Sequence, residues 1–264
     1  MARLLKEDGI DVNLADNHQA PPVIWAAASA ESSTITLLLQ HPQIDLSMQD
    51  SAGQNALSWA CIAGRAQTTI LLLKDGRCDP NLRKHKGKTP LMLAVSSESL
   101  PAVQVMTRHR GVNLALQDQN GRNAISWAAQ SPDPRILEYL HLHGGALFAD
   151  AREHDGWGAL KWAVDPPAKL ENARLLLKHA IAEINVPDAN GRPILSTVVE
   201  WSSMEIAQLL ISSGVIDVDQ LDRNGRSPLA CAVVQGYTPL TVQLLTQDPS
   251  RADKPDNAGV TPRA

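Results

Sequence analysis

Phenylalanine and tyrosine are almost missing from this chain. Of 264 residues one is Phe, two are Tyr and six are Trp, so aromatics make up only 3% although 44% of residues are hydrophobic. A single thick core ordinarily draws on large rings, whereas thin layers of Leu and Ala do not need them. Cysteine is scarce as well. Cys61, Cys78 and Cys231 stand far apart with no CxxC pair, which argues against a disulfide scaffold or a Cys-based metal site. They read as buried free thiols, because Cys packs as a small hydrophobe.

No apolar run approaches the roughly 18 residues of a membrane-spanning helix, and MARLLKEDGIDVN holds no apolar stretch long enough for a secretory signal. The expected location is therefore cytoplasmic or nuclear, with no membrane partner. A net charge of −4 offers no global attraction to nucleic acid. Neither a P-loop nor a dinucleotide fingerprint is present, and no cofactor is expected.

What the chain does have is a period. Gly53 recurs as Gly87 and Gly121, then as Gly156, Gly191, Gly225 and Gly259, at steps of 34 or 35 residues. Self-similarity of this length marks a solenoid. One period runs from a turn at Asp50–Gly53 into a short apolar helix around Leu57, Trp59, Ala60 and Cys61. Gly64 breaks that helix. A second, leucine-rich helix follows through Ile70 to Leu73 and stops at Gly76, before the loop Asp79-Pro80-Asn81. Thr89-Pro90 and Ser227-Pro228 supply an N-cap and a first-turn proline. A helix pair of this size cannot hide its apolar face alone, so neighbours must stack. The expected fold is all-α, an α-solenoid of helix-turn-helix units with β-turn fingers.

The motifs resemble those of ankyrin repeats. Lys84-His85-Lys86-Gly87-Lys88-Thr89-Pro90-Leu91 and Asp222-Arg223-Asn224-Gly225-Arg226-Ser227-Pro228-Leu229 follow the family's finger, and Asp11-Val12-Asn13 and Asp79-Pro80-Asn81 its closing loop. The Ser-Trp-Ala form of the first helix (Ser58-Trp59-Ala60, Ser126-Trp127-Ala128) resembles long arrays in fungal multidomain proteins. One departure stands out: the family's His after Thr-Pro-Leu is replaced throughout, by Ile24, Ser58, Met92, Ser126, Lys161, Ser196 and Ala230. Weaker hydrogen bonding between neighbouring turns is expected. The boundaries read as a part-repeat over 1–15, seven repeats at 16–49, 50–83, 84–117, 118–152, 153–187, 188–221 and 222–255, and an opening at 256–264. Part-repeats at both ends suit a segment of a longer array.

The resemblance implies non-catalytic binding of a partner protein or acidic peptide, through fingers and first helices. Trp25, Trp59, Trp127 and Trp162 share one register and are expected in the core, between helices. Trp157, after a turn glycine, and Trp201, beside Glu200, are expected to face the partner. Lys88, Arg122, Arg192 and Arg226 form a basic row with Trp157 at its centre, with His154 nearby. Without a partner this row is expected to stay solvated, so that Arg192→Ala would be nearly silent.

The fourth to sixth repeats are irregular, with Ser131-Pro132-Asp133-Pro134 and Asp165-Pro166-Pro167 as breaks. The alternative function is a small-molecule or catalytic site there, built from His154, Asp155, Asp165 and Glu200 beside Trp157 and Trp201. His141 and His143 complete no recognised zinc pattern, and no metal is expected.

Overall fold

The computed structural model of the chain describes residues 10–83, 86–144, 156, 158–179, 184–201 and 203–262. Among them are fourteen α-helices and no strand. They come in pairs, a short first helix and a second one: α1 Pro22–Ala28 with α2 Ser32–Leu39, α3 Ala56–Ile62 with α4 Ala66–Asp75, α5 Pro90–Ser96 with α6 Leu100–Arg108, and α7 Ala124–Gln130 with α8 Pro134–Gly144. Then follow α9 Ala159–Val164 with α10 Leu170–Lys178, α11 Ile194–Glu200 with α12 Met204–Ser212, and α13 Pro228–Val234 with α14 Thr238–Gln247, the last trailed by a 3-10 turn at Pro249–Asp253. The fold is an all-helical repeat solenoid.

Helices of six or seven residues are far too short to persist alone. Their starts are fixed by caps: side chains of Asn55, Thr89, Asn123 and Ser227 accept from the backbone N–H three residues on. Their persistence comes from packing. The contacts divide the chain into two compact units, Met1–Phe148 and Ala149–Ala264. In the first, α1, α3, α5 and α7 pack in succession, and α2, α4, α6 and α8 form the second row. Leu57, Leu72, Met92, Met106, Ile125 and Leu140 are sealed between the rows. In the second unit α9 packs on α10, α10 on α12, α12 on α14 and α11 on α13, around Leu195, Leu210, Leu229 and Leu244.

Neighbouring turns are tied without the missing His. Fingers pair through the backbone, with Ser51 N donating to His18 O (2.8 Å), Gln119 N to Lys86 O (2.9 Å) and Asn257 N to Asn224 O (2.9 Å). At the opposite end of the repeat, in three places, an asparagine bridges to the next loop. Asn81 Nδ2 donates to Gly111 O (2.8 Å) while its Oδ1 accepts from Asn113 N (2.7 Å). Asn13 and Asn185 do the same. Close approach of fingers explains the turn glycine: at Gly87 (φ +81°) a Cβ would lie 2.8 Å from Gln119 N. All three cysteines are free and buried. Burial pushes the Cys61 and Cys78 thiols up to about 12. No helix among the described residues is long and apolar enough to cross a membrane.

Candidate functional site

Each well-formed finger is organised by an aspartate. Its Oδ1 accepts two backbone N–H groups, two and four residues on: Asp50 from Ala52 and Gln54 (both 2.9 Å), Asp118 from Asn120 and Arg122 (2.8 and 3.0 Å), Asp222 from Asn224 and Arg226 (2.8 and 2.9 Å). Asp16, Asp188 and Asp256 repeat the pattern. Asp118, Asp188 and Asp222 are all buried, at 5%, 6% and 8% exposure. A carboxylate taken out of water needs a partner for its second oxygen as well.

Two different partners serve. In the first unit the donor is the indole Nε1 nine residues downstream: Trp25 to Asp16 (3.0 Å), Trp59 to Asp50 (2.6 Å) and Trp127 to Asp118 (3.1 Å). In the second it is a guanidinium four residues downstream, with Arg192 Nε at 3.0 Å from Asp188 and Arg226 Nε at 2.9 Å from Asp222. The Asp16 carboxyl sits below its ordinary range, chiefly because it accepts from Ala20 N–H, then from His18 N–H and the Trp25 indole.

The tryptophan register therefore does not lie in the core as the sequence suggested. Trp25 is 58% exposed, and Trp59, Trp127 and Trp162 are only part-buried. The reason is the polar edge of the indole. A ring wedged between helices would leave its N–H unpaired, whereas a ring turned toward the finger reaches the waiting carboxylate.

The basic row departs from expectation in part: Lys88, Arg122 and Arg226 are part-buried, while Arg192 stays exposed. Arg122 lies over the Trp127 ring, its Cζ 3.9 Å from the centroid, with only 13% of its side chain exposed. Lys88 Nζ lies over the same ring at 3.6 Å. Burial against it, and then Arg122 alongside, lower the Lys88 pKa, against an opposing pull from Asp118. Arg192 grips the buried Asp188, while 44% of its own side chain stays exposed. Arg226 grips Asp222 and also reaches Glu200 at 3.6 Å.

Thus two pairs from the expected set meet, Lys88 with Arg122 and Glu200 with Arg226. Trp201 is part-buried at the C-terminal end of α11, its backbone N–H donating to Thr197 O (3.0 Å). Trp157, His154 and Asp155 lie outside the described residues. On α8, His143 stacks on Tyr139 with centroids 4.1 Å apart and donates from Nδ1 to the Tyr139 carbonyl (3.0 Å). Among the described residues no three of His, Cys, Asp and Glu gather in a metal-holding group.

A feature the sequence reading missed lies between the first two fingers. A cavity of about 340 Å³ is bounded by His18, Ala20, Trp25, Asp50, Ala52 and Trp59, with Ile24 and Ala28 behind. Its signal was present as Asp-x8-Trp, at Asp16/Trp25, Asp50/Trp59 and Asp118/Trp127. In the third repeat both partners change together, to Lys84 and Leu93.

The sequence profile of a family described as ankyrin repeats (3 copies) matches residues 23–118 and 168–257, well over half of the chain. A search of the curated proteins gave no match.

Proposed function

Because the chain belongs to the ankyrin-repeat family, whose repeats are protein–protein interaction modules, we propose that it is a non-catalytic scaffold gripping a partner segment along its fingers and first helices. One observation carries this reading: Trp25 and Trp59 face the finger side beside an apolar cavity, with indoles held in place by Asp16 and Asp50. A large exposed ring costs solubility unless something covers it, and Trp is enriched where partners bind most tightly. Fixed rings lose little conformational freedom on association. In the second unit the proposed contacts are Trp201, Glu200, Arg192 and Arg226, with Trp157 on the sequence register of the two arginines and His154 three residues before it. Lys88 and Arg122 form the polar continuation of the first unit's face. The guanidiniums that would draw an acidic peptide are engaged by the chain's own carboxylates, so the partner need not be acidic. Three unpaired thiols suit the reducing cytoplasm or nucleus.

The test is partner capture by the full chain with in-cell crosslinking, followed by affinity measurement on Trp25→Ala and Trp201→Ala. A true anchor costs about 2 kcal/mol, roughly 30-fold. A captured partner that binds wild type and both variants alike refutes the proposed face.

A further inference from the structure

The fourth repeat shows what sits on one of these indoles. The Trp127 ring is covered by Arg122 of its own finger, five residues upstream, and by Lys88 of the preceding finger, 39 residues upstream. Moved to the second repeat, those two positions fall on Gln54 and Ala20; in the first repeat the own-finger position is Ala20 again. Ala20 is too short to cover either ring, and Gln54 is buried at 5% exposure. What remains over Trp25 and Trp59 is the cavity of about 340 Å³, with Ala20 in its wall.

We propose that this cavity receives one cationic side chain, Arg or Lys, of a partner protein segment, in the place Arg122 and Lys88 hold over Trp127. The proposal rests on the protein-binding reading above and says what that face selects.

Four further features agree with a cation. Both indole N–H groups donate to carboxylates, at 3.0 and 2.6 Å, which fixes the ring planes and shifts electron density onto the faces a cation would meet. The Asp50 carboxylate lines the cavity and adds negative charge there, and the Asp16 carboxylate lies 3.0 Å from the Trp25 indole nitrogen. No Lys or Arg lines the cavity, and nearby Arg65 is committed to the Ala28 carbonyl at 3.1 Å, which leaves His18 as the lining base. The volume, at the low end of the about 300–1,000 Å³ of ligand pockets, has room for an arginine or lysine side chain. Arg should outrank Lys, because a guanidinium is more weakly hydrated and stacks flat on an indole.

The experiment titrates the full chain, with indole nitrogens labelled for NMR, using capped Gly-Gly-Xaa-Gly-Gly peptides in which Xaa is Arg, Lys, Leu or Glu. Trp25→Phe and Trp59→Phe assign the two resonances. Arg should shift both saturably and bind about five-fold tighter than Leu, with Lys between them and Glu inert. Trp25→Leu, which keeps apolar bulk but not the ring face, should remove the Arg preference. Ala20→Lys should remove it too, by supplying the internal cation that the fourth repeat has. A Leu peptide as tight as Arg, or a preference for Glu, overturns the cation receptor and leaves the protein-binding face standing. Absence of a shift with any peptide also overturns it, and the Trp25→Ala partner affinity then decides the protein-binding reading independently.

Discussion

The two units of this chain settle one electrostatic problem in different ways. Six fingers hold an aspartate that accepts two backbone N–H groups, and Asp118, Asp188 and Asp222 do so while buried. In the first unit the second oxygen takes a neutral indole N–H; in the second it takes a guanidinium. The neutral solution leaves the negative charge uncancelled and an aromatic face turned outward. The ionic solution cancels the charge and folds the cation back onto its own turn. The fourth repeat combines them, with Trp127 bonded to Asp118 and Arg122 laid over the ring. The units should therefore differ in what they attract more than in how they stand up.

The first way to break that comparison is to attack what the units share. Leu72 and Leu210 are both 0% exposed, one in each unit. Leu72→Ala and Leu210→Ala should each cost about 2–5 kcal/mol in urea unfolding. Unequal costs, with one site tolerant, would mean that the leucine layers do not carry both units.

Next come the clasps. Arg226→Ala leaves the Asp222 carboxylate, whose side chain is 4% exposed, without its cation, and should cost about 1–3 kcal/mol. Trp59→Phe removes only a neutral donor from the less buried Asp50, with an expected cost of about 0.5–1.5 kcal/mol. Thermal melts of the two variants check the order. If Trp59→Phe proved the more damaging, the ring would matter as packing and not as a clasp.

The helix pairs were legible in the sequence because glycine spacing, Thr-Pro and Ser-Pro starts and leucine runs all report local geometry, and local geometry builds this fold. The direction of the tryptophans was not. Their register looks apolar, and apolar positions in a short helix ordinarily point at a neighbour. What turns Trp25 and Trp59 outward is one polar atom on each ring, satisfied nine residues back, and a hydrophobicity pattern does not record it. Arg226 was misread for a related reason. A Gly-Arg turn looks solvated until the aspartate four residues earlier is seen to be buried. The cavity is harder still to find by reading along the chain, because it exists where a side chain is short, at Ala20.

The smallest expected difference concerns a second kind of Asp–Arg pair found in both units. In the first, Arg77 grips Asp75 and donates to the Leu39 and Ile44 carbonyls (2.9 and 3.2 Å). In the second, Arg251 grips Asp219 (2.9 and 3.0 Å) and donates to the Leu244 carbonyl (2.8 Å). The arginine side chains differ in exposure, 37% for Arg77 against 10% for Arg251. In each pair the arginine hydrogen bond is the main cause of a carboxyl pKa below its ordinary value. A depressed folded-state pKa stabilises the protein fully above the unfolded value, near about 3.9, and that stabilisation fades as pH falls through the folded value. Arg251→Met should therefore cost about 1 kcal/mol at pH 7, Arg77→Met less, and both penalties should shrink as the pH drops below about 4. Urea midpoints at pH 7, 4 and 2.5 would show it. A penalty for Arg251→Met unchanged at the lowest pH would assign its role to the Leu244 carbonyl and the burial of the guanidinium stem, with Asp219 a bystander.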